Sequence, residues 1–470
     1  MKAFELSLLI AKSSLVIFIM LMTGCGVPSE QQAPMETVPT NTSISEVIIT
    51  NTVAPSPTMT PTLEPLSVIA STFEESSRNL IFQSSDVKVV FDKYWGGVIR
   101  EIWLDGENMV NNYDGGRLLG VSFYDGSTTE GSTGHPNDTG WNPTPSDMFD
   151  NTNEPLEYSY SDNEFYLKTR YIQWFPLDKG GGRKDPVETD VVVETWAKFL
   201  GSPRLIQLTY RFTHEGDDHH LVASQELPFA YVRSPYNRFV AYAGNAPWTD
   251  GAVFIDEGSP VAPNRGGTRA TEYWGGYVND RDVGLLLYAP QNYPAFTYNY
   301  FDNLPPVENS CFYLLPLASM ELSPGLSKEV NVFLYIGDWR EARARFASLH
   351  ERHQFADIMD GQGFMDSIPA GATLSGAVDV AGWALDDRGI EKVEVLVDGN
   401  IVGTARYGHA RPDVAQANPT LSKGNNFGYI YSLDTRRFPN GIHTLEVLIT
   451  DTSGNTSIAA PGAMEVSFNN

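Results

Sequence analysis

Alternation is the dominant pattern of the chain between residues 67 and 336. Ile206, Leu208, Tyr210 and Phe212 alternate with Gln207, Thr209 and Arg211, and Val191, Val193 and Thr195 with Val192, Glu194 and Trp196. A repeat of two puts one set against a core and the other toward water, so both stretches are predicted strands. Val330–Ile336 is apolar apart from Asn331, as expected of a strand covered on both faces. Asp105-Gly106 is a hairpin-type dipeptide. Clusters of Gly, Pro, Asn and Asp separate the runs, and long loops are predicted at 125–157 and 176–189.

The period changes at residue 338. Asp338 can cap a helix. Trp339, Ala342, Phe346 and Leu349 then recur at spacings of three and four, which makes one apolar stripe. Arg340, Arg343 and Arg345 fall off that stripe and read as a solvated face. A helix over 338–356 is therefore expected to close the large domain. From Pro369 a second strand rhythm begins: Val378–Trp383, Val393–Val397, Phe427–Ser432, Thr444–Ile449 and Met464–Phe468, with Asp/Gly-type turns between. Several short strands at this spacing predict a sandwich of about 100 residues.

The first 66 residues build no core. Residues 1–24 carry Lys2, Lys12 and the apolar run Leu15–Met22, too short to span a bilayer and suited to a signal peptide. Leu21-Met22-Thr23-Gly24-Cys25 resembles a bacterial lipobox. That resemblance implies a lipidated Cys25 and a protein of the bacterial cell envelope, facing outside the cytoplasm and touching the membrane through its lipid anchor only. Residues 25–66 are rich in Pro, Thr and Ser and read as a disordered tether. The expected division is signal peptide 1–24, tether 25–66, large domain 67–356, linker 357–367 and small sandwich 368–470.

Charge narrows the partners. The chain has 32 basic and 58 acidic side chains, a net charge of −26. Phosphate backbones would repel it, which argues against nucleic acid. Its two cysteines, Cys25 and Cys311, permit neither a disulfide framework within the body nor a cysteine metal site. Cys311 lies in a strand-like run and reads as a small core hydrophobe. Asp386-Asp387 and Asp451–Asn455 lack EF-hand spacing and read as turns. His350 and His353 share a helix face with no third ligand nearby. No metal and no cofactor is expected.

Several short motifs then bear on identity. Gly96-Gly97, the Gly-Glu-Asn turn at 106–108 and Gly116-Arg117 stand early. Glu226-Leu227-Pro228, Pro247-Trp248, Thr-Glu-Tyr-Trp at 271–274 and Pro324-Gly325 follow. Together they resemble the galactose-mutarotase-like domain, the β-supersandwich of aldose epimerases and of modules in many carbohydrate-active enzymes, over residues 67–356. Gly382-Trp383, Asp398-Gly399, the loop 407–413 and Asp-Thr-Ser-Gly-Asn at 451–455 resemble a bacterial Ig-like module. The fold class implied is all-β: a large supersandwich with a closing helix, plus a C-terminal Ig-like sandwich.

The first resemblance implies carbohydrate as partner and a His and a Glu as general acid and base. Glu226 and Glu272 are the catalytic candidates, because each is an acid on an otherwise apolar or aromatic strand, where a lone carboxylate is costly without a partner or a purpose. Arg117, His135, Trp141, Trp248 and Trp274 are the substrate-binding candidates, since aromatic faces and planar polar groups suit sugars. The chain departs from the family after Arg117, where Leu118-Leu119-Gly120 stands in place of an Asn-Arg pair. His135, His214, His219 and His220 match no family motif. That leaves open an epimerase, a glycoside hydrolase, a polysaccharide lyase, or a non-catalytic surface display or adhesion protein.

Overall fold

The structure, a computed structural model, describes residues 66–126, 141–176, 185–249, 251–256, 266–292, 296–301, 310–353, 355–418 and 424–470. Cys25, the tether up to residue 65 and His135 lie outside the described residues.

The alternating runs form two 10-stranded antiparallel sheets. The first runs Thr72–Glu75, Asn79–Gln83, Val87–Asp92, Val98–Leu104, Leu119–Ser122, His220–Arg233, Cys311–Leu322, Phe296–Phe301, Gly266–Thr268. The second runs Phe254–Asp256, Arg238–Ala241, Trp274–Val278, Val283–Tyr288, Ser327–Asp338, Leu205–His214, Glu188–Phe199, Glu164–Gln173, Pro143–Thr144. Short strands Glu107–Asn108 and Glu157–Ser161 pair with Val98–Leu104 and Glu164–Gln173 respectively. The sheets face each other across one core. Ile99, Val121, Ala230 and Leu314 come from the first sheet, and Phe165, Val193, Leu208 and Leu334 from the second. The architecture is a β-supersandwich.

The period-two reading holds in detail. Ile206, Leu208, Tyr210 and Phe212 are buried, whereas Gln207, Thr209 and Arg211 are partly exposed. Tight geometry explains the early glycines. Gly96 and Gly97 both have positive φ, and a Cβ on Gly96 would lie 2.5 Å from the Pro145 carbonyl oxygen. Asp105 and Gly106 also have positive φ, at 50° and 81°, as a two-residue hairpin turn of mirror-image type requires.

The helix Trp339–Arg352 forms as expected, with the Asp338 side chain accepting from Arg340 N at 2.7 Å. Its buried residues Ala342, Phe346 and Leu349 cover the outer face of the second sheet, against Trp274, Leu286, Tyr288 and Phe333. One expectation fails here. Arg343 does not face water but reaches back to Glu272, as described below.

The small domain is a sandwich of a four-stranded and a six-stranded sheet around its own core of Val380, Val393, Val395, Leu433, Val447 and Phe468. Its first strand, Gln362–Met365, comes from the expected linker and pairs with Ala377–Leu385. The junction is buried rather than loose. Ile358 and Met359 join the core of the large domain, and Lys328 Nζ binds Asp360 at 2.8 Å. Asp386 and Asp451 hold turns by accepting backbone N–H bonds, as their Asp/Gly context predicts. They also crowd against Asp357, which is paired with Arg388 at 3.1 Å. Burial lifts the Asp386 carboxyl to about 6, and Asp357 and Asp451 push the same way.

Candidate functional site

The outer face of the first sheet carries a second, smaller apolar cluster: Val98, Leu118, Phe229, Tyr313 and Leu315, with Trp95, Tyr231 and Leu317 half-buried beside them. Alternation puts these side chains there. Phe312, Leu314 and Ala318 of the same strand point into the core, so Tyr313, Leu315 and Leu317 must point away. Tyr231 and Tyr313 sit opposite each other across the ladder and stack with centroids 4.1 Å apart. A stacked tyrosine pair on this face offers an aromatic surface with hydroxyls beside it.

Glu226 rises from this face. It pairs across the ladder with Ser122 on one side and Leu317 on the other. The register shifts just after it, between Glu226 and Phe229, at the Leu227–Pro228 segment. Its carboxylate accepts from Tyr313 OH at 2.7 Å and from Ser122 Oγ at 2.9 Å, and Tyr124 OH is a third hydroxyl partner. Burial raises its pKa above the ordinary carboxylate range, and the three hydroxyl donors pull it partway back. The phenols of Tyr124, Tyr231 and Tyr313 are pushed well up by burial first and by the Glu226 charge second, so at neutral pH they act as donors, not bases.

Arg117 borders the same face. It precedes Leu118, whose carbonyl accepts from Tyr231 N at 2.9 Å. The guanidinium pairs with Asp114 at 3.2 Å and lies over the Tyr113 ring. Tyr231 feels both charges, raised by Glu226 and lowered by Arg117. Gly116 is needed in this loop, because a Cβ there would lie 2.3 Å from the tip of Trp174. Cys311, adjoining on the sheet, is fully buried and its thiol is pushed up to about 12 by burial, which makes it inert. The cavity between the sheets, lined by Gly97, Leu119, Leu167, Tyr171 and Tyr210 among others, lies beneath this face and contains no charged side chain.

The remaining candidates separate. Glu272 is wholly buried on the outer face of the other sheet. Arg343 binds it in bidentate fashion, Nε to Oε2 at 2.9 Å and Nη2 to Oε1 at 2.7 Å. Trp274 Nε1 and Trp248 N each donate to it at 2.7 Å. The two catalytic candidates Glu226 and Glu272 therefore do not form an acid–base pair: they lie on the outer faces of opposite sheets. Trp274 is a fully buried core residue, and Trp248 stacks on His350 beneath the helix. Trp141 stacks on His220 at 3.6 Å, at the far end of the strand that carries Glu226. Of the singled-out residues, the fold thus brings Arg117 and Glu226 to one face. It adds Ser122, Tyr124, Tyr231 and Tyr313, which no motif had marked. The alternation of Ser122 and Tyr124 beside a strand with a lone acid was the available signal.

Comparison with known proteins bears on the smaller domain first. Residues 367–447 match the family model for the bacterial Ig domain. No curated protein matches the sequence. Among solved structures, the chain is similar to the Slr1438 protein of Synechocystis sp. PCC 6803, at 12% identity over 59% of this chain and 99% of that one, with a TM-score of 0.36. It is also similar to a galactose mutarotase related enzyme of Lactobacillus acidophilus, at 9% identity over 57% and 97% of the two chains, TM-score 0.35. A galactose mutarotase-like protein of Lactobacillus casei ATCC 334 gives 10% identity over 57% and 100%, TM-score 0.33.

Proposed function

We propose that this chain binds carbohydrate on the outer face of its first sheet, as an envelope protein anchored through a lipidated Cys25. The observation that carries the reading is the Glu226 carboxyl, ringed by Ser122, Tyr124 and Tyr313 hydroxyls beside the Tyr231–Tyr313 platform. Ring faces of that platform suit the C–H faces of a sugar, and the carboxylate and Arg117 suit its hydroxyls. Candidate ligands are neutral or uronic-acid oligosaccharides, the latter through Arg117.

A catalytic reading is favoured by one specific property: burial raises the Glu226 pKa above its ordinary value, the direction that suits a carboxyl to general acid–base work. Among the described residues that face offers Glu226 without Glu272, so two-carboxylate hydrolysis through that pair has no support. Proton transfer by a single acid–base residue is the chemistry that fits. A glycan array on the full chain, followed by product analysis of each bound glycan, tests both readings. Binding that Tyr231→Ala weakens supports the site. Products formed by wild type and lost in Glu226→Gln add catalysis, and binding without turnover leaves a lectin. The absence of any glycan bound would favour a display or adhesion protein. Loss of membrane association in Cys25→Ser tests the anchor.

A further inference from the structure

We propose that Asp190, His214, Asp218 and His220 form a binding site for a divalent transition-metal ion of the zinc type. The site lies where the chain crosses from the second sheet to the first. His214 ends the strand Leu205–His214, His220 begins the strand His220–Arg233, Asp218 lies in the connection, and Asp190 comes from the neighbouring strand Glu188–Phe199. One ligand atom from each of the four lies within 4.8 Å of all the others.

Three of the contacts fall close to the spacing of a coordination shell. His214 Nε2 is 3.1 Å from Asp190 Oδ2 and 3.3 Å from Asp218 Oδ1, and His220 Nε2 is 3.4 Å from Asp218 Oδ2. A tetrahedral ion with bonds of about 2.0–2.1 Å holds its ligand atoms about 3.3–3.4 Å apart. The His214 imidazole is held in a suitable orientation. His214 Nδ1 lies 3.1 Å from the Ser323 carbonyl oxygen, which can only accept, so Nδ1 carries the hydrogen and Nε2 presents its lone pair to the cluster.

His220 supplies the independent sign of a ligand. It is 4% exposed, and neither ring nitrogen makes a hydrogen bond. A buried polar ring left this way is costly, and a metal bond at Nε2 removes the cost. Asp125 Oδ2, 3.4 Å from Nδ1, is placed as the outer carboxylate that orients a metal-binding imidazole. Trp141 stacks on the same ring and closes the site from one side. Gly216 leaves room for the convergence: a Cβ there would lie 2.0 Å from Asp190 Oδ2, 2.6 Å from Asp218 Oδ1 and 2.7 Å from His214 Nε2. Two imidazoles with two carboxylates favour zinc or its transition-metal neighbours over calcium and magnesium, which prefer oxygen alone. The ion would staple the two sheets at the start of the strand that presents Glu226.

The test uses the purified full chain, stripped with chelator and titrated separately with Zn²⁺ and Ca²⁺ by calorimetry, and with Co²⁺ by visible absorption. One Zn²⁺ per chain is expected, with intense tetrahedral Co²⁺ bands and an affinity that falls by at least about 10–100-fold in His220→Gln and in Asp190→Asn, the loss typical even of outer-shell partners. Metal-free melting of both variants should coincide with metal-free wild type. If a variant does not fold, the wild-type Co²⁺ spectrum decides, since weak octahedral bands contradict the site. No stoichiometric Zn²⁺, Ca²⁺ binding tighter than Zn²⁺, or undiminished Zn²⁺ binding in both variants would overturn the proposal.

Discussion

Glu226 and Glu272 look alike in the sequence, each an acid in an apolar, aromatic strand context, yet the fold treats them in opposite ways. Glu272 meets a guanidinium, an indole N–H and a backbone N–H, and both its oxygens are engaged. Two of its neighbours, Trp248 and Tyr273, hold positive φ at 61° and 58°, so the buried carboxylate also secures strained backbone. Glu226 meets hydroxyls only, on a face without the helix that covers the other sheet. A fully compensated charge is structural. A buried carboxyl held by hydroxyls alone lacks a compensating cation, and the proposed function rests on that difference.

The largest effect that would sharpen this contrast is on stability. Arg343→Ala leaves the Glu272 charge buried without its cation and should cost about 3–5 kcal/mol, read as a lowered urea midpoint. A loss below about 1 kcal/mol would place Glu272 among ordinary surface pairs.

Asp386 offers the same rule at the junction between domains. Its native pKa of about 6 exceeds its unfolded value, so it stabilises the fold fully below pH about 3.9 and loses that contribution as pH rises through 6. Asp386→Asn should flatten the stability profile between pH 4 and 7. An unchanged slope would show that the neighbouring carboxylates set the profile.

Glu226 should behave like Asp386. Its pKa is also raised, so stability it lends at acid pH is lost as pH climbs through the native value. Glu226→Gln should therefore be at least as stable as wild type at pH 8 by urea unfolding, while binding falls. A strong destabilisation at pH 8 would make Glu226 structural and erase the contrast.

The smallest effect is on the platform. Tyr231→Ala removes a stacked ring from the outer face of the first sheet and should weaken glycan binding about 2–10-fold, the worth of one aromatic contact. Trp248→Ala, beneath the helix, should change melting and leave the intrinsic glycan affinity alone.

The contrast also marks how far sequence reading reaches. Alternation predicted the strand-rich body, and the three-and-four spacing from Trp339 to Leu349 predicted the closing helix, because both depend on neighbours along the chain. The Asp/Gly turns of the small sandwich were legible for the same reason. Arg343 was misread as solvated because its partner Glu272 lies 71 residues away, joined only by the packing of the helix on the sheet. Ser122 and Tyr313 escaped notice because they reach Glu226 from positions 104 and 87 residues away in the chain. Trp274 was read as a sugar platform, yet its indole is a core anchor for Glu272. Local pattern names the element, while only the register names the partner.

Hydrogen–deuterium exchange with the tightest glycan from the array, on the full chain, tests the account most directly. Protection is expected in Leu119–Ser122, His220–Arg233 and Cys311–Leu322, with Trp339–Arg352 unchanged. Protection confined to that helix and the 242–249 loop, with the first sheet unaffected, would contradict it.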